Sequence, residues 1–283
     1  MTMHSPKTTP LHRGTFHRII LSLSNFSKLF SNSFKQLEKC TIQDLYELYP
    51  NFFIDIEVEQ QLIKEHDVIV MQFPVFWFSM PALLKQWIDL VLESGFAYGT
   101  APNDFLKSEF QKIPSGGRVL CLAEGEGRNA VFLAQQGYRV TAIDLSEVGL
   151  NKARQLASDK GVKISTEVVD LADYQFAEQQ WDAIISISAH MPEAIRQRVH
   201  AQIATALKPG GVFILEAFTY AQTQMEGVGG PPASQKEMFM SLEKLQLELS
   251  QLYEATGIEK SRTISEGKFH QGLSAVVQFI GHK

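Results

Sequence analysis

The chain has 283 residues, 45% hydrophobic and 20% charged, the balance of an ordinary soluble globular protein with room for one large domain or two modest ones. Its net charge is −5 with no long basic run, which lends no electrostatic support to a nucleic-acid partner or an anionic membrane surface. Cys40 and Cys121 stand at no metal or redox spacing, so no metal site and a reducing, cytoplasmic setting are expected.

Residues 1–16 are expected to be a polar leader, and the apolar run after it, "IILSLS", is too short and too polar for a signal-peptide core. A strand is expected over 18–24, a helix over 26–39, a strand-like run into a loop over 40–50 and a helix over 57–66. Residues 67–74 make a buried strand stopped by proline, and 80–94 a strongly amphipathic helix with Pro81 in its first turn and Gly95 after its end. The most apolar window, residues 68–84, is split by Pro74 and Pro81 and falls short of the about 20 apolar residues of a membrane span, so no direct membrane insertion is expected. The pattern is strand–helix three times over, the grammar of a parallel α/β sheet, and it then breaks off.

The grammar restarts after residue 100. A helix is expected over 103–113, a strand over 118–124, a helix over 127–137, a strand over 139–146 and a helix over 147–161. Strands follow at 162–172 and 181–190, a helix at 192–207, a strand at 210–218, a helix at 240–252 and two terminal strands joined around Gly267. The stretch "EGVGGPP", residues 226–232, is either a mobile lid or a solvated loop.

The most informative stretch of this half is "RVLCLAEGEGRNAVFLA". A buried strand turns at Gly125-x-Gly127 directly into a helix, and the glycines let the backbone approach a ligand closely. Asp144 ends the next strand, where an acid can accept hydrogen bonds from ribose hydroxyls; alone it could equally cap the following helix, as could Ser146. Asp170 ends the third strand, Asp173 suits a solvated turn, and "LKPGG" at 207–211 is a helix exit before a buried strand. The glycine turn, Asp144 and Asp170 sit at the carboxyl ends of strands, where open α/β sheets bind ligands.

"LAEGEGRN", "AIDLS", "VVDLAD" and "LKPGG" stand in the order and spacing of the class I S-adenosylmethionine-dependent methyltransferases, which residues 98–283 resemble. The "YGT-x-PNDFL" start and "HQGLSAVVQ" ending are similar to the small-molecule methyltransferases near the tellurite-resistance type. The resemblance implies a Rossmann-like seven-stranded sheet with its last strand antiparallel, S-adenosyl-L-methionine as cofactor and a small-molecule methyl acceptor. It implies that Ala123, Glu124, Gly125, Gly127 and Asn129 wrap the methionine end, Asp144 and Leu145 the ribose, Asp170 and Leu171 the adenine, with Ser188 beside them. The family often has an acid where this chain has Cys121, which reads here as a core residue. A hard acceptor needs a base, and a soft anion such as a thiolate or reduced chalcogen does not. His190 is the candidate catalytic base, or else it orders the loop before Met191-Pro192. His270 is a second candidate, and Glu216 and Tyr220 could shape the acceptor pocket.

Residues 17–99, above all "QFPVFWFSMPALLKQWID", resemble the flavodoxin-like NAD(P)H quinone oxidoreductases, and within them the ancillary proteins of glutathione-gated potassium efflux systems. The resemblance implies a flavin (FMN or FAD) wrapped by Pro74–Pro81, with Phe76, Trp77 and Phe78 as its apolar wall; core packing is the alternative. Ser27 and Asn32 remain in the flavin-phosphate loop, but leucine and serine stand where histidine and proline are usual, and the last two strands are missing. A partial three-stranded flavodoxin-like domain, structural or vestigial, is therefore expected to precede the methyltransferase domain at 100–283. The alternative is a flavin-dependent oxidoreductase or efflux regulator, completed as a homodimer or docked on an efflux channel.

Overall fold

A computed structural model describes residues 18–22, 40–66, 68–72, 82–91, 99–267 and 270–283. The chain divides into two units, Met1–Glu93 and Ser94–Lys283.

The first unit has a three-stranded parallel sheet of β1 (Arg18–Ser22), β2 (Cys40–Asp44) and β3 (Val68–Gln72) in the order β2-β1-β3. Its helices are α1 (Leu45–Leu48), α2 (Ile56–Glu65) and α3 (Ala82–Val91). Asp44 and Asp55 cap α1 and α2, each side chain accepting first-turn backbone N–H groups. Leu83, Leu84, Trp87 and Val91 of α3 are fully buried with Ile63 of α2, each worth about 1.5–3 kcal/mol of burial. Glu59 is buried among them and satisfied: Oε1 accepts from the Tyr49 hydroxyl at 2.6 Å and Oε2 from the Trp87 indole N–H at 2.8 Å. The expected helix at 26–39, Ser27, Asn32 and the stretch Pro74–Pro81 lie outside the described residues.

The second unit is built on a seven-stranded sheet of order β6-β5-β4-β7-β8-β10-β9. Its strands are β4 (Arg118–Leu122), β5 (Arg139–Asp144), β6 (Ser165–Val168), β7 (Trp181–Ile187), β8 (Leu207–Phe218), β9 (Tyr253–Ser265) and β10 (Gln271–His282). The first five run parallel, and β10 lies between β8 and β9, antiparallel to both. The expected fold is therefore met, antiparallel ending included. The helices are α4 (Asp104–Glu109), α5 (Arg128–Gln135), α6 (Glu147–Asp159), α7 (Glu193–Ala206) and α8 (Leu242–Glu248).

Period-two alternation along β4 divides the core. Leu120 and Leu122 join Phe213, Leu215, Val199, Ile203 and Leu245 in one layer. Val119 and Cys121 join Ile185, Ile214, Leu133 and Leu150 in the other. The last of these layers holds Cys121 with no exposure, the core role its sequence context suggested; burial, then the nearby Glu124, pushes its thiol well up. α7 is tied to α8 by a buried ionic group, in which Arg196 donates to Glu248 at 2.9 Å and His200 meets Glu248 at 2.7 Å. Several expected elements differ. The loop expected in the second part of 40–50 holds α1, and α4 is shorter than the helix expected over 103–113. β6 covers only part of 162–172, and "LKPGG" falls inside β8 as an irregularity: Trp181 pairs with Leu207, but Ala183 pairs with Val212.

Candidate functional site

The carboxyl end of β4 opens into the turn Ala123–Gly127, bent by left-handed backbone at three of its residues. Ala123, Gly125 and Gly127 have φ of 46°, 62° and 85°. Gly127 is glycine for a second reason: a Cβ there would lie 2.5 Å from Ala153 Cβ, so α5 and α6 pack through this point. Asp144, at the end of β5, accepts the Gly125 N–H on Oδ2 at 2.9 Å and the Ser146 N–H on Oδ1 at 2.7 Å. The cap of α6 is Ser146, whose Oγ accepts from Gly149 N at 3.1 Å. Asp144 thus braces the glycine turn and is not the cap.

Glu124 performs a second bracing role. Its Oε1 accepts the N–H groups of Asn129 and Ala130 at 2.9 and 2.8 Å, so it fills the anion position at the start of α5. Burial raises its carboxyl, against the lowering effect of those N–H groups and Arg128, to about 7. Cys121 leaves the first strand without an acid, and Glu124 supplies a carboxylate under the turn instead.

The turn borders a cleft of about 270 Å³ lined by Ala123, Glu124, Gly125, Glu126, Arg128, Asn129, Ile187, Ser188 and His270. Five residues expected at the cofactor site, Ala123, Glu124, Gly125, Asn129 and Ser188, come together on its walls. Ser188 has a φ of 56°, a second strained backbone at the cleft. Gly127 holds the turn from behind. Asp144, Leu145, Asp170 and Leu171 do not line the cleft. They stand at or just after the ends of β5 and β6, at the same end of the sheet, where Leu145 is 69% exposed and Asp170 accepts the Ala172 N–H at 2.8 Å. Leu171 is buried in the core.

His190 is not on the cleft wall, and both its ring nitrogens are engaged. Nδ1 lies 3.0 Å from the Met238 carbonyl, which requires a proton on Nδ1, and Nε2 accepts the Phe218 N–H at 3.3 Å. The ring stacks on Phe218 at 5.7 Å. Burial lowers its pKa to about 4. This geometry favours the loop-ordering reading of His190 and leaves no free lone pair for a base. His270 does line the cleft, and burial followed by the Arg128 charge lowers it too to about 4, so it is neutral at pH 7. Glu216 and Tyr220 are not on the wall. Glu216 is buried in a network with Arg262 at 2.6 Å, Asn103 at 2.7 Å and Gln278 at 2.6 Å. The segment 226–232 is tied to β10, with Gly227 N donating to Leu273 O at 2.9 Å and Val228 bridging Gln271.

Arg128 and Ile187 line the cleft and were not singled out from the sequence. Arg128 left a signal: a cation in the first turn of a helix opposes the helix dipole, so some partner has to justify it. That partner is Glu266, whose Oε2 lies 2.6 Å from Arg128 Nη2.

Two family models match the chain: a flavodoxin-like fold over residues 21–156 and a methyltransferase domain over residues 119–211. The chain joins a flavodoxin-like segment to a methyltransferase domain. The first segment is 55% identical over 80 residues to an uncharacterized NAD(P)H oxidoreductase, YrkL, of Bacillus subtilis, covering 28% of this chain and 46% of that one. It is 57% identical over 99 residues to the glutathione-regulated potassium-efflux system ancillary protein KefG of Cronobacter sakazakii, covering 35% of this chain and 54% of that one. The chain thus spans about half the length of these curated relatives. The methyltransferase domain has the fold of TehB from Haemophilus influenzae, with a TM-score of 0.50 at 16% identity over 70% of this chain and 66% of that one. A structure described under the conversion of a disulfide bond into a thioacetal group during echinomycin biosynthesis gives a TM-score of 0.51 at 19% identity, over 65% and 82%. The two family models overlap at 119–156, but the seven-stranded sheet places those residues in the methyltransferase domain. Among the described residues no helix is long and apolar enough to cross a membrane, and no cluster of three His, Cys, Asp or Glu could hold a metal.

Proposed function

We propose that the methyltransferase domain transfers the methyl group of S-adenosyl-L-methionine to a small-molecule acceptor. The observation that carries this reading is the Gly125–Asp144 pairing at the carboxyl ends of adjacent strands, beside the cleft. The residues present fit the cofactor. Ala123–Gly127 offers close backbone approach, Asp144 and exposed Leu145 stand where a ribose and its base would lie, and Asp170 follows β6 at the same end of the sheet. The cofactor supplies a methyl group on a sulfonium centre; the protein's part is to align it with the acceptor.

The acceptor we favour is one already ionised on arrival, a thiolate or other soft anion. His190 has both nitrogens engaged, and a neutral His270 of pKa about 4 is a weak base. The test is methyl transfer from labelled cofactor to a panel of thiols, reduced chalcogens, amines and alcohols. Product from the soft acceptors alone supports the reading. Product only from alcohols or amines, with a pH profile needing a base, overturns the choice of acceptor.

The flavodoxin-like segment we take as structural. Its identity to KefG favours one other reading, in which it docks an efflux protein or binds a flavin. A purified chain that carries flavin absorbance would support that second reading, and a colourless one would oppose its flavin arm.

A further inference from the structure

The partner of β10 changes along its length. β8 pairs with it from His282 back to Val276, which stands opposite Phe218, and there β8 ends. Beyond that point the segment 226–232 takes the place of β8. Val228 N donates to Gln271 O at 2.7 Å, and Gln271 N donates to Val228 O at 3.1 Å. Buried Gln222 fastens the segment as well: its Nε2 donates to Gly227 O at 2.7 Å and its Oε1 accepts the Ala275 N–H at 2.9 Å. The segment thus extends the sheet, and it lays two glycines on the Phe218 ring. A Cβ on Gly229 would lie 2.6 Å from Phe218 Cζ and 3.2 Å from His270 Cδ2, and one on Gly230 would lie 3.0 Å from Phe218 Cγ. Phe218 meets the His270 ring edge-on at 5.6 Å and stacks on His190 at 5.7 Å. Since His270 lines the cleft, a chain of contacts from the two glycines through Phe218 ends on a cleft wall.

Sheet order says which wall. Asp144 and Asp170 stand at the ends of β5 and β6, to one side of β4, whereas Ile187, Ser188 and His270 stand at β7 and the start of β10, to the other. A nucleoside lying over β5 and β6 leaves the β7–β10 wall to the acceptor. We propose that Gly229, Gly230 and Phe218 are positioning residues that hold His270 as a fixed wall of the acceptor pocket, restricting the acceptor to a thiol or other soft nucleophile of few heavy atoms. This rests on the methyltransferase reading. Phe218 is only 2% exposed and has His190 and both glycines against it, so the imidazole has no free volume to retreat into. The segment cannot swing aside without breaking its bonds to β10. A bulky acceptor is therefore excluded by overlap with His270.

The test measures kcat and KM of the full chain, with S-adenosyl-L-methionine as donor, for methanethiol, propane-1-thiol and cyclohexanethiol, aliphatic thiols of similar acidity. The wild-type chain should prefer methanethiol to cyclohexanethiol by at least about tenfold in kcat/KM. His270→Ala removes the wall, and Phe218→Leu lets the imidazole lean back. Each should bring the preference within about threefold, chiefly by lowering the KM for cyclohexanethiol. His270→Phe keeps a ring on the wall and should keep the preference. The two His270 variants decide even where Phe218→Leu fails to fold. A wild-type chain that methylates cyclohexanethiol as well as methanethiol overturns the proposal, and so does a preference that survives in His270→Ala. Loss of methanethiol turnover in His270→Phe at unchanged melting temperature makes the imidazole a participant in the chemistry and overturns its role as a wall. A chain that binds S-adenosylhomocysteine by calorimetry but methylates no thiol overturns this proposal and leaves the cofactor site standing. A folded chain that binds no S-adenosylhomocysteine overturns the methyltransferase reading itself.

Discussion

Gly127 and Ala153 meet so closely that a Cβ on Gly127 would sit 2.5 Å from the Ala153 Cβ and 2.8 Å from its Cα. The glycine turn is thus also the contact through which α5 and α6 pack. Gly125, two residues earlier, has open space around its would-be Cβ, although its φ is 62°. Gly127→Ala should destabilise the domain by about 2–4 kcal/mol, from overpacking together with a left-handed backbone. Gly125→Ala should cost only about 1 kcal/mol. Chemical denaturation of the two variants checks the difference; equal losses would mean that the turn is not the packing point.

Glu124 gives stability a pH dependence of unusual sign. Its folded pKa, about 7, lies above the ordinary carboxyl value of 4.5, so the folded state holds the extra proton. Its contribution is present below pH 4.5 and is lost as the pH rises through about 7. Glu124→Gln keeps an oxygen for the Asn129 and Ala130 N–H groups and should remove this slope. Melting curves from pH 4.5 to 8 on both proteins decide; identical slopes would assign the window elsewhere.

Glu248 acts in the opposite direction. Burial would raise its pKa, but hydrogen bonds from His200 and Arg196 outweigh burial and hold it at about 2. Its contribution is complete above pH 4.5 and is lost as the pH falls towards 2. Glu248→Ala strands a fully buried Arg196 and should destabilise by about 3–5 kcal/mol, with α8 loosening from α7. Urea titrations of wild type and variant at pH 7 measure it; a loss below 1 kcal/mol would show that water reaches Arg196.

His190 separates two accounts of the reaction. If it orders the loop, His190→Ala loses the bonds to Met238 O and Phe218 N and lowers stability by about 1–3 kcal/mol, and the pH profile of turnover keeps its shape. If it is a base, turnover falls by about 10²–10⁴ and the limb belonging to the base disappears. Rate against pH for both proteins gives the answer, and we expect the first pattern.

The architecture was legible because its signals are local. Alternation along β4, the Gly125-x-Gly127 turn and Asp144 at a strand end each depend on a few adjacent residues. So does Ser146 as the cap of α6. What escaped was set by partners far along the chain. The role of Arg128 depends on Glu266, and the engagement of His190 depends on Met238 and Phe218, none of which periodicity brings together. Glu216 looked like a pocket residue from its place near the end of a buried strand, yet Arg262 and Gln278 turn it into a buried tie between β8, β9 and β10. Helix ends were set by geometry as well: α4 stops at Glu109 and continues as a single 3₁₀ turn, Phe110–Lys112, before Pro114.

The central claim is that the methyltransferase domain of this fused chain binds its nucleoside cofactor. Calorimetric titration of the full chain with S-adenosylhomocysteine, with Asp144→Ala as the control, tests it most directly. We predict saturable one-site binding, weakened at least about tenfold by Asp144→Ala, which removes the proposed ribose acceptor and the brace on Gly125 together. No binding by a wild-type chain that melts cooperatively would contradict the account.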